Sequence, residues 1–447
     1  MSRFLRGAAV AAFVLALAAC GNDEGYTTFT VPTAFMRVVN LIPDSPALNV
    51  YVNDTARTSQ NFESSSSFFQ ILPDANLYYT VNYQFGTQLV NILTREVVRA
   101  DINRDLTTVL TGTLDNPTLI RIDNPPLTQT SVEGKVELQF MNAATALDNP
   151  VNVELMQGGS VIETDTLEFN QYSALASYDA GDYQITVRDS VTDDILWTSG
   201  DFSLSAATRG LIVLADYFGP GSERVRMLTV SDTVTSPFAN DPLPSAVRVA
   251  NLTSDQGPLD VYADGTLIAS GIAYAGVSDY VETPTPIAHL VVTPAGDPAT
   301  VLSDTESLTP VTGSFHTLAV VGLDDTHYAQ LHVDDVRRIA TRARVVATNA
   351  ALGTGPVDIY IVDPGVAVTD VSPRISSLTE IPNSTSSQAL SLQEGTYDLY
   401  VTNYATKTVL YGPMRIDVAN SGIYGVYVAN PDGGSGDPTV QFTDDFN

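Results

Sequence analysis

The fold is decided by the stretch Met36-Arg37-Val38-Val39-Asn40-Leu41, because variants of it recur three times along the chain. The four Asn residues are 102, 109 and 98 positions apart, and each is followed within ten residues by an Asn or Asp between aliphatic residues. Self-similarity at a nearly constant spacing predicts four tandem units of about 100 residues. The three further copies are Leu138-Gln139-Phe140-Met141-Asn142-Ala143, Val247-Arg248-Val249-Ala250-Asn251-Leu252 and Val345-Val346-Ala347-Thr348-Asn349-Ala350.

Each unit has the residue pattern of β-strands. Tyr79-Thr80-Val81-Asn82-Tyr83-Gln84-Phe85 alternates apolar with polar residues, which places its apolar side chains on one face of a sheet. Such runs are short and are separated by Gly, Pro, Asn and Asp, and no long stretch keeps a helical period. We therefore predict an all-β fold, a tandem array of about four Ig-like antiparallel β-sandwich domains. The alternation recurs in Tyr183, Ile185 and Val187, and in Tyr397, Leu399 and Val401.

Pro-rich segments separate the units. Asp123-Asn124-Pro125-Pro126 follows the first unit, and Asp241-Pro242-Leu243-Pro244 follows the second. Because Pro stiffens a linker, we expect the units to form an extended string of beads. The predicted divisions are a signal peptide at 1–19, a lipidated Cys with a flexible tether at 20–33, and β-sandwich repeats at 34–130, 134–233, 245–336 and 340–447.

The N-terminus has the layout of an export signal. Arg3 and Arg6 precede an apolar run that is too short to span a bilayer as a helix. Leu17-Ala18-Ala19-Cys20 resembles the lipobox of bacterial lipoproteins, which implies acylation of Cys20 and membrane attachment through acyl chains. Gly21 in place of Asp implies the outer membrane, by resemblance to the enterobacterial sorting rule. The alternative is an ordinary secretory signal with an incidental Cys.

Charge and cysteine content exclude several classes of protein. Asp and Glu number 51 against 21 Lys and Arg, so the formal charge is −30. Such a chain repels nucleic acid, and we expect no nucleic-acid partner. One Cys allows neither an intramolecular disulfide framework nor a Cys-based zinc cluster. The hydrophobic fraction of 44% is sufficient for buried cores.

The repeated motif resembles the bacterial family called domain of unknown function 4397. The resemblance covers an aliphatic-Arg-Val-x-Asn stretch followed by Pro, an aliphatic residue, Asn or Asp, Val and Tyr. The second unit departs most, with Glu137 in place of the Arg and Glu154-Leu155 in place of the Tyr. The resemblance implies an exported, lipid-anchored protein and leaves the activity open.

The sequence contains no P-loop, no G-x-S-x-G and no H-E-x-x-H motif, but two groups of residues are candidates for a metal ion. His327, His332, Asp334 and Asp335 are close enough in sequence for a surface metal site, although scattered strand-end residues are the alternative. Paired Asp residues in loops are also the hard oxygen ligands that suit Ca²⁺, the alternative being a solvated acidic surface. We otherwise expect no cofactor. His289 is aligned with Tyr183 and Tyr397 and is predicted to be a core or corner residue.

Aromatic residues supply further candidates. Tyr400 and Tyr404 lie opposite the apolar face of their strand and are candidates for a ligand-stacking patch. Tyr183 and Tyr397 each follow a Gly, which is typical of a tyrosine corner, although a core aromatic with its hydroxyl at the rim fits as well.

Two further sequence features have structural interpretations. Each recurrent Asn is predicted to shape a turn, so Asn251→Ala should cost about 1–2 kcal/mol. Four arginines lie between units three and four, in a chain that is otherwise strongly acidic. They are predicted to bridge acidic edges of these two units, or else to be solvated. The four are Arg337, Arg338, Arg342 and Arg344.

These observations predict a non-enzymatic, lipid-anchored protein of the cell envelope. Its tandem domains would serve binding, adhesion or envelope structure, with an envelope protein or polysaccharide as the partner. One alternative is a periplasmic assembly factor, since the sequence does not say which side of the outer membrane the protein faces. The other is a carboxylate-based glycoside hydrolase, which would need convergent polar groups in one unit.

Overall fold

The computed structural model describes residues 33–126, 134–231, 235–238, 243–283, 287, 289–305, 310–383 and 389–445. The predicted signal peptide, Cys20 and nearly all of the tether lie outside these ranges. Among the described residues no helix has the length and hydropathy needed to cross a membrane.

The first two repeats contain nineteen strands among the described residues. Repeat one comprises β1 (Ala34–Asn40), β2 (Leu48–Val52), β3 (Thr55–Gln60), β4 (Ser64–Ser65), β5 (Phe69–Ile71), β6 (Asn76–Phe85), β7 (Gln88–Arg99), β8 (Asp105–Gly112) and β9 (Pro117–Asn124). Repeat two comprises β10 (Lys135–Asn142), β11 (Val151–Gln157), β12 (Ser160–Leu167), β13 (Ala176–Asp179), β14 (Gly181–Asp189), β15 (Ile195–Thr198), β16 (Phe202–Leu204), β17 (Thr208–Asp216), β18 (Val225–Val230) and β19 (Thr235–Pro237).

The last two repeats contain sixteen strands and one short 3₁₀ turn at Val368–Asp370, again counting described residues. Repeat three comprises β20 (Ser245–Thr253), β21 (Leu259–Ala263), β22 (Thr266–Ile272), β23 (Val281–Thr283), β24 (Leu290–Pro294), β25 (Ser303–Thr305), β26 (Phe315–Leu323) and β27 (Thr326–Asp334). Repeat four comprises β28 (Ala343–Ala350), β29 (Val357–Val362), β30 (Ile375–Leu378), β31 (Leu390–Leu392), β32 (Gly395–Asn403), β33 (Val409–Val418), β34 (Ile423–Ala429) and β35 (Thr439–Asp445).

Every repeat is a sandwich of two sheets, so the predicted all-β fold and tandem sandwiches are confirmed. The first sheet holds the strand with the recurrent Asn, in the order β4-β1-β8-β9 in repeat one. The second sheet holds the strand with the following Asn or Asp, in the order β3-β2-β6-β7. Repeat two continues past the predicted end at residue 233, because β19 pairs with β18 and Phe238 lies in its core.

The sequence analysis predicts antiparallel sheets, but the first sheet of every repeat is mixed. The first strand of each repeat runs parallel to a later strand of the same sheet: β1 with β8, β10 with β17, β20 with β26, and β28 with β34. Between these strands the chain crosses to the second sheet and back. Parallel pairs need such a crossover connection, which the strands of the second sheet provide.

The recurrent Asn joins the two sheets of each sandwich. In repeat one the Asn40 side chain accepts the N–H of Ile42 at 3.0 Å and donates to the carbonyl of Gln60 at 3.2 Å. Each of the four is at most 1% exposed and bonds in the same way, to the N–H two residues on and to the carbonyl that ends a second-sheet strand. The predicted structural role is confirmed, and the bonds are more numerous than one turn requires.

The repeats pack in pairs rather than as separate beads. The outer faces of the first sheets of repeats one and two share one apolar cluster, and those of repeats three and four share another. Equivalent positions form the contact in both pairs. In the first pair they are Val39, Leu41 and Val109 of repeat one and Ala143, Val213 and Ala215 of repeat two. In the second pair they are Ala250, Leu252 and Ala319 of repeat three and Ala350, Tyr427 and Ala429 of repeat four.

Both predicted tyrosine corners are present. Tyr183 donates its hydroxyl hydrogen to the carbonyl of Asp179 at 2.6 Å, and Tyr397 donates to that of Gln393 at 3.0 Å. The prediction for His289 was wrong by one position. Val292 lies opposite Val261 as Val187 lies opposite Val153, so His289 is one position too late to be the counterpart of Tyr183. His289 is half-exposed, 3.5 Å from a carboxylate oxygen of Asp304.

Candidate functional site

The structure does not bring the four predicted metal ligands together. On β27, His327 lies on the face of the inward-packing Leu331, while His332 and Asp334 lie on the opposite face. His327 lies 3.2 Å from a carboxylate oxygen of Asp255. Asp334 accepts hydrogen bonds from the hydroxyls of Tyr280 at 2.9 Å and Thr317 at 2.6 Å. Within the described ranges no group of three or more His, Cys, Asp or Glu is arranged to hold a metal ion.

The predicted stacking patch is mostly covered by the chain itself. Tyr400 packs with Tyr360 and Val368 beneath the segment that contains the 3₁₀ turn. Lys407 fixes this segment by donating to the carbonyls of Val368, Thr369 and Val371 at 2.9–3.2 Å. Tyr404 is 48% exposed but stands in the turn after β32, so the two tyrosines form no common platform.

The arginines between repeats three and four bind different groups from those predicted. Arg337 donates to the carbonyls of Pro43 at 2.9 Å and Ser45 at 2.6 Å, and Arg342 donates to the carbonyl of Gln84. These three acceptors belong to repeat one. Arg338 reaches repeat four through the carbonyl of Ser421, and Arg344 pairs with Asp335 at 2.6 Å. The joint is therefore attached to repeat one, mainly through backbone carbonyls.

A cavity of about 560 Å³ lies where all four repeats meet at this joint. Repeat one contributes Phe62 and Glu63, and repeat two contributes Phe218 and Arg226. The end of repeat three and the joint supply most of the remaining wall, and β31 of repeat four closes one side with Ser391. The joint side of the wall consists of Phe315, Val333, Asp334, Asp335, Val336, Arg337, Ile339 and Arg344.

Most of the charged groups around the cavity have a partner in the protein. Glu63 lies 3.2 Å from Arg226, and Asp335 lies 2.6 Å from Arg344. Arg337 differs, since its bonds are to backbone carbonyls and its guanidinium lies 5.2 Å from the centre of the Phe62 ring. None of the ion pairs in the described part of the chain includes Arg337. Among these residues Arg337 therefore lacks a direct carboxylate contact, and the charges of Asp335, Glu63 and Asp44 offset only part of its desolvation.

The environment shifts the ionisation of these groups in opposite directions. Burial raises the pKa of the Glu63 carboxyl, and the nearby Arg226 only partly offsets this effect. Desolvation would raise the pKa of Asp335 as well, but its hydrogen bond and charge interaction with Arg344 bring that pKa below its usual value. Burial also lowers the pKa of Arg337. The cavity is thus a partly desolvated site, in which charge interactions are stronger than in water.

A family model described as domain of unknown function DUF4397 matches residues 34–149 and 245–360. The two matches together cover just over half of the chain. The chain belongs to the DUF4397 family. Both matches begin at the first strand of an odd-numbered repeat, β1 or β20. Each match covers one odd-numbered repeat and extends into the first strand of the repeat that packs against it, β10 or β28.

Three solved structures are similar to the chain at low sequence identity. The Bacillus anthracis TIE protein is 8% identical with a TM-score of 0.14, over 88% of this chain and 68% of that one. The CBM26 module of Eubacterium rectale Amy13K, solved with maltoheptaose, is 10% identical with a TM-score of 0.18, over 45% and 98%. The pilus adhesin SpaC from Lactobacillus rhamnosus GG is 11% identical with a TM-score of 0.13, over 68% and 44%. No curated protein matches the chain significantly.

The Arg of the DUF4397 motif is a structural residue in both matched repeats. The Nε atoms of Arg37 and Arg248 donate to Thr107 and Thr317, each at 2.8 Å. Each guanidinium lies 4.9 Å from the centre of an aromatic ring, that of Phe68 or Tyr280. Two repeats of this DUF4397 chain therefore use the motif Arg in the same buried contact.

The interpretation of Glu137 as the substitute for this Arg was wrong. Asn142 lies opposite Leu214 as Asn40 lies opposite Leu110, so the residue three positions before the Asn is Gln139. Glu137 instead accepts a hydrogen bond from Nε of Arg209 at 2.8 Å. Both members of this pair lie in repeat two, Glu137 on β10 and Arg209 on β17.

Sequence reasoning missed most of the cavity. Phe62, Glu63, Phe218 and Arg226 lie outside the DUF4397 motif and come from two different repeats. No spacing in the sequence connects them, because the packing of whole sandwiches brings them together. The sequence signals for this location were the cluster of arginines after residue 336 and the adjacent pair Asp334 and Asp335, which line the cavity without forming a metal site.

Replacing Arg337 and Arg342 together with Gln should release the joint from repeat one, since both arginines donate to carbonyls of that repeat. We expect small-angle scattering of the full-length double variant to show a larger radius of gyration, with the unfolding temperature of each sandwich nearly unchanged. Arg95→Gln with Arg99→Gln is the charge-matched control, because both residues are exposed and pair within repeat one. Identical scattering of the two double variants would contradict the attachment.

Proposed function

We propose that the protein is a non-enzymatic, lipid-anchored component of the cell envelope, in which tandem DUF4397 sandwiches present a binding or structural surface. The observation that carries this proposal is the use of the repeated polar residues. The four buried Asn residues and the two motif Arg residues are engaged in hydrogen bonds that hold the sandwiches together. Such repetition suits a scaffold, whereas a catalytic centre concentrates special residues in one place.

The carboxylates around the cavity support a non-enzymatic role. Glu63 forms an ion pair with Arg226, and Asp335 forms one with Arg344. Asp334 accepts a hydrogen bond from Tyr280. A general acid or base in glycoside hydrolysis must place a carboxyl group against the scissile bond, with a second carboxyl group at a defined separation. Carboxylates held by protein partners are better explained as structural ion pairs and hydrogen bonds.

The address within the envelope rests on the N-terminal sequence. Leu17-Ala18-Ala19-Cys20 supplies the acylation signal, and the export segment before it supplies the route. With two or three acyl chains the attachment would be stable. Gly21 supports sorting to the outer membrane.

Cys20→Ser should move the protein out of the membrane fraction, because serine cannot receive the thioether-linked lipid. Fractionation of expressing cells, with immunoblotting of membrane and soluble fractions, measures this. Gly21→Asp is the matched control, which should keep the protein in membranes but shift it toward the inner membrane. A Cys20→Ser protein that still partitions with membranes and detergent would overturn the anchor.

Protease treatment of intact cells separates the two remaining roles. A surface binder should be cleaved in intact cells, whereas a periplasmic assembly factor should be cleaved only after the outer membrane is opened. Affinity purification from envelope extract would then identify the protein or polysaccharide partner.

A further inference from the structure

We propose that the cavity at the joint of the four repeats binds a small organic acid, whose carboxylate is held by Arg337 and Arg226 and whose carbon skeleton lies against Phe62 and Phe218. The proposal concerns soluble small molecules and does not depend on the lipid anchor. A volume of about 560 Å³ lies within the range of small-molecule sites.

Arg337 supplies the first reason for an anionic ligand. Its positive charge is partly buried, and its hydrogen bonds go to the backbone carbonyls of Pro43 and Ser45. A guanidinium offers five N–H donors, and carboxylate is the group that matches its planar fork. Transfer of a ligand carboxylate into the cavity would offset the cost of keeping this cation away from water.

Arg226 supplies the second reason. One terminal nitrogen contacts Glu63 at 3.2 Å, but its Nε is buried and has no hydrogen-bond partner among the described residues. An unsatisfied buried donor is costly, and a turn of the Arg226 side chain toward the cavity would let a ligand oxygen satisfy it. Arg226 and Arg337 both line the cavity, so one acid can lie between the two sides.

The aromatic residues favour an organic acid over an inorganic anion. Phe62 and Phe218 meet edge to face with ring centres 6.1 Å apart, and Arg337 lies over Phe62. These rings offer apolar contact to a carbon skeleton, which phosphate lacks. The carboxylates of Glu63, Asp334 and Asp335 also line the cavity and would repel a multiply charged anion. Monocarboxylates are therefore the expected class.

The test is stabilisation of the purified full-length chain against heat at constant ionic strength. The probes are acetate, benzoate and glucuronate, each compared with its neutral counterpart acetamide, benzamide or glucose, together with inorganic phosphate. We expect at least one monocarboxylate at about 10 mM to raise the unfolding temperature by about 2 °C or more. The neutral counterparts and phosphate should leave it unchanged. Equal shifts for acids and their counterparts, or a response to phosphate alone, would overturn the proposal.

Variants locate the site. Arg337→Gln should weaken binding of the responding acid by about tenfold or more, while Arg337→Lys should retain part of it. Arg95→Gln is the matched control. Arg95 also lies over an aromatic ring, 4.2 Å from the centre of Tyr78, but it is exposed and does not line the cavity. Full retention of binding by Arg337→Gln would place the acid elsewhere and reject the site.

A second variant separates loss of ligand binding from loosening of the joint, because Arg337→Gln affects both. Phe218 is 40% exposed and contacts Phe62, whereas Arg337 and Arg342 hold the joint, so Phe218→Ala should leave the arginine contacts of the joint in place. We expect it to weaken benzoate by about threefold to tenfold and acetate less, because only benzoate has a ring to contact. Unchanged affinity for every responding acid in Phe218→Ala would contradict the proposed orientation.

Discussion

Asn251→Ala is expected to lower the free energy of unfolding of repeat three by about 3 kcal/mol, more than loss of a single hydrogen bond. The Asn251 amide donates to the carbonyl of Ile272 at 2.8 Å, and its oxygen accepts the N–H of Thr253 at 3.0 Å and its hydroxyl at 2.6 Å. Alanine leaves these buried groups without partners. Urea unfolding followed by hydrogen exchange of peptides from 245–336 measures the effect in the affected repeat.

The matched control is Asn91→Ala, in which an exposed Asn of β7 is replaced. It should change stability by no more than about 0.5 kcal/mol. The single Trp, Trp197, is buried in repeat two, so its fluorescence reports whether damage spreads beyond repeat three. A cost below about 1 kcal/mol for Asn251→Ala would mean that water or rearrangement replaces the lost bonds.

The structural role of this Asn was predictable because it recurs at one position of a repeated pattern. A polar residue that ends four apolar strands needs a common explanation, and a local hydrogen bond to the backbone is the simplest. The sequence did not indicate the second bond, from Asn251 to Ile272 in the other sheet. That bond depends on how two sheets are stacked, which alternation along one strand does not specify.

The pairing of repeats was missed although the sequence carried a signal for it. The stretch from Met36 to Leu41 is apolar on both faces of its strand, apart from Arg37 and Asn40. A strand covered on both sides has this composition, whereas a sheet with one face in water alternates strictly. Pro-rich linkers suggested separated beads, but the outer faces of the first sheets required burial, and this requirement determined the packing.

The candidate metal ligands failed for a simple geometric reason. His327 and His332 are five positions apart on one strand, and an odd separation places side chains on opposite faces. Their residue types suit a metal ion, but the alternation of side chains between the two faces of a strand was not applied to them. The same alternation correctly separated Tyr400 from the apolar core, yet it could not foresee the segment that covers this residue.

Acid should weaken repeat three through His332, by up to about 3 kcal/mol between pH 6.5 and pH 4. Burial lowers the pKa of this imidazole from 6.5 to about 4, and its Nε2 has no hydrogen-bond partner among the described residues. The folded state keeps His332 neutral while the unfolded state takes up a proton as the pH falls below 6.5. Stability is therefore fully present above pH 6.5 and is lost progressively toward pH 4.

His332→Gln removes this titration and should flatten the pH dependence. The difference in unfolding free energy between wild type and variant, measured by urea unfolding at pH 7 and pH 4, should shift by about 3 kcal/mol in favour of the variant in acid. Proton NMR of the His332 ring gives an independent reading, since its resonance should titrate near pH 4 with a neutral ring at pH 6. A ring that is protonated at pH 6 in the folded protein would contradict the prediction. It would mean that water or a new hydrogen-bond acceptor reaches the ring of His332 and stabilises its charged form. In the present structure this residue lies opposite Thr317 of the neighbouring strand.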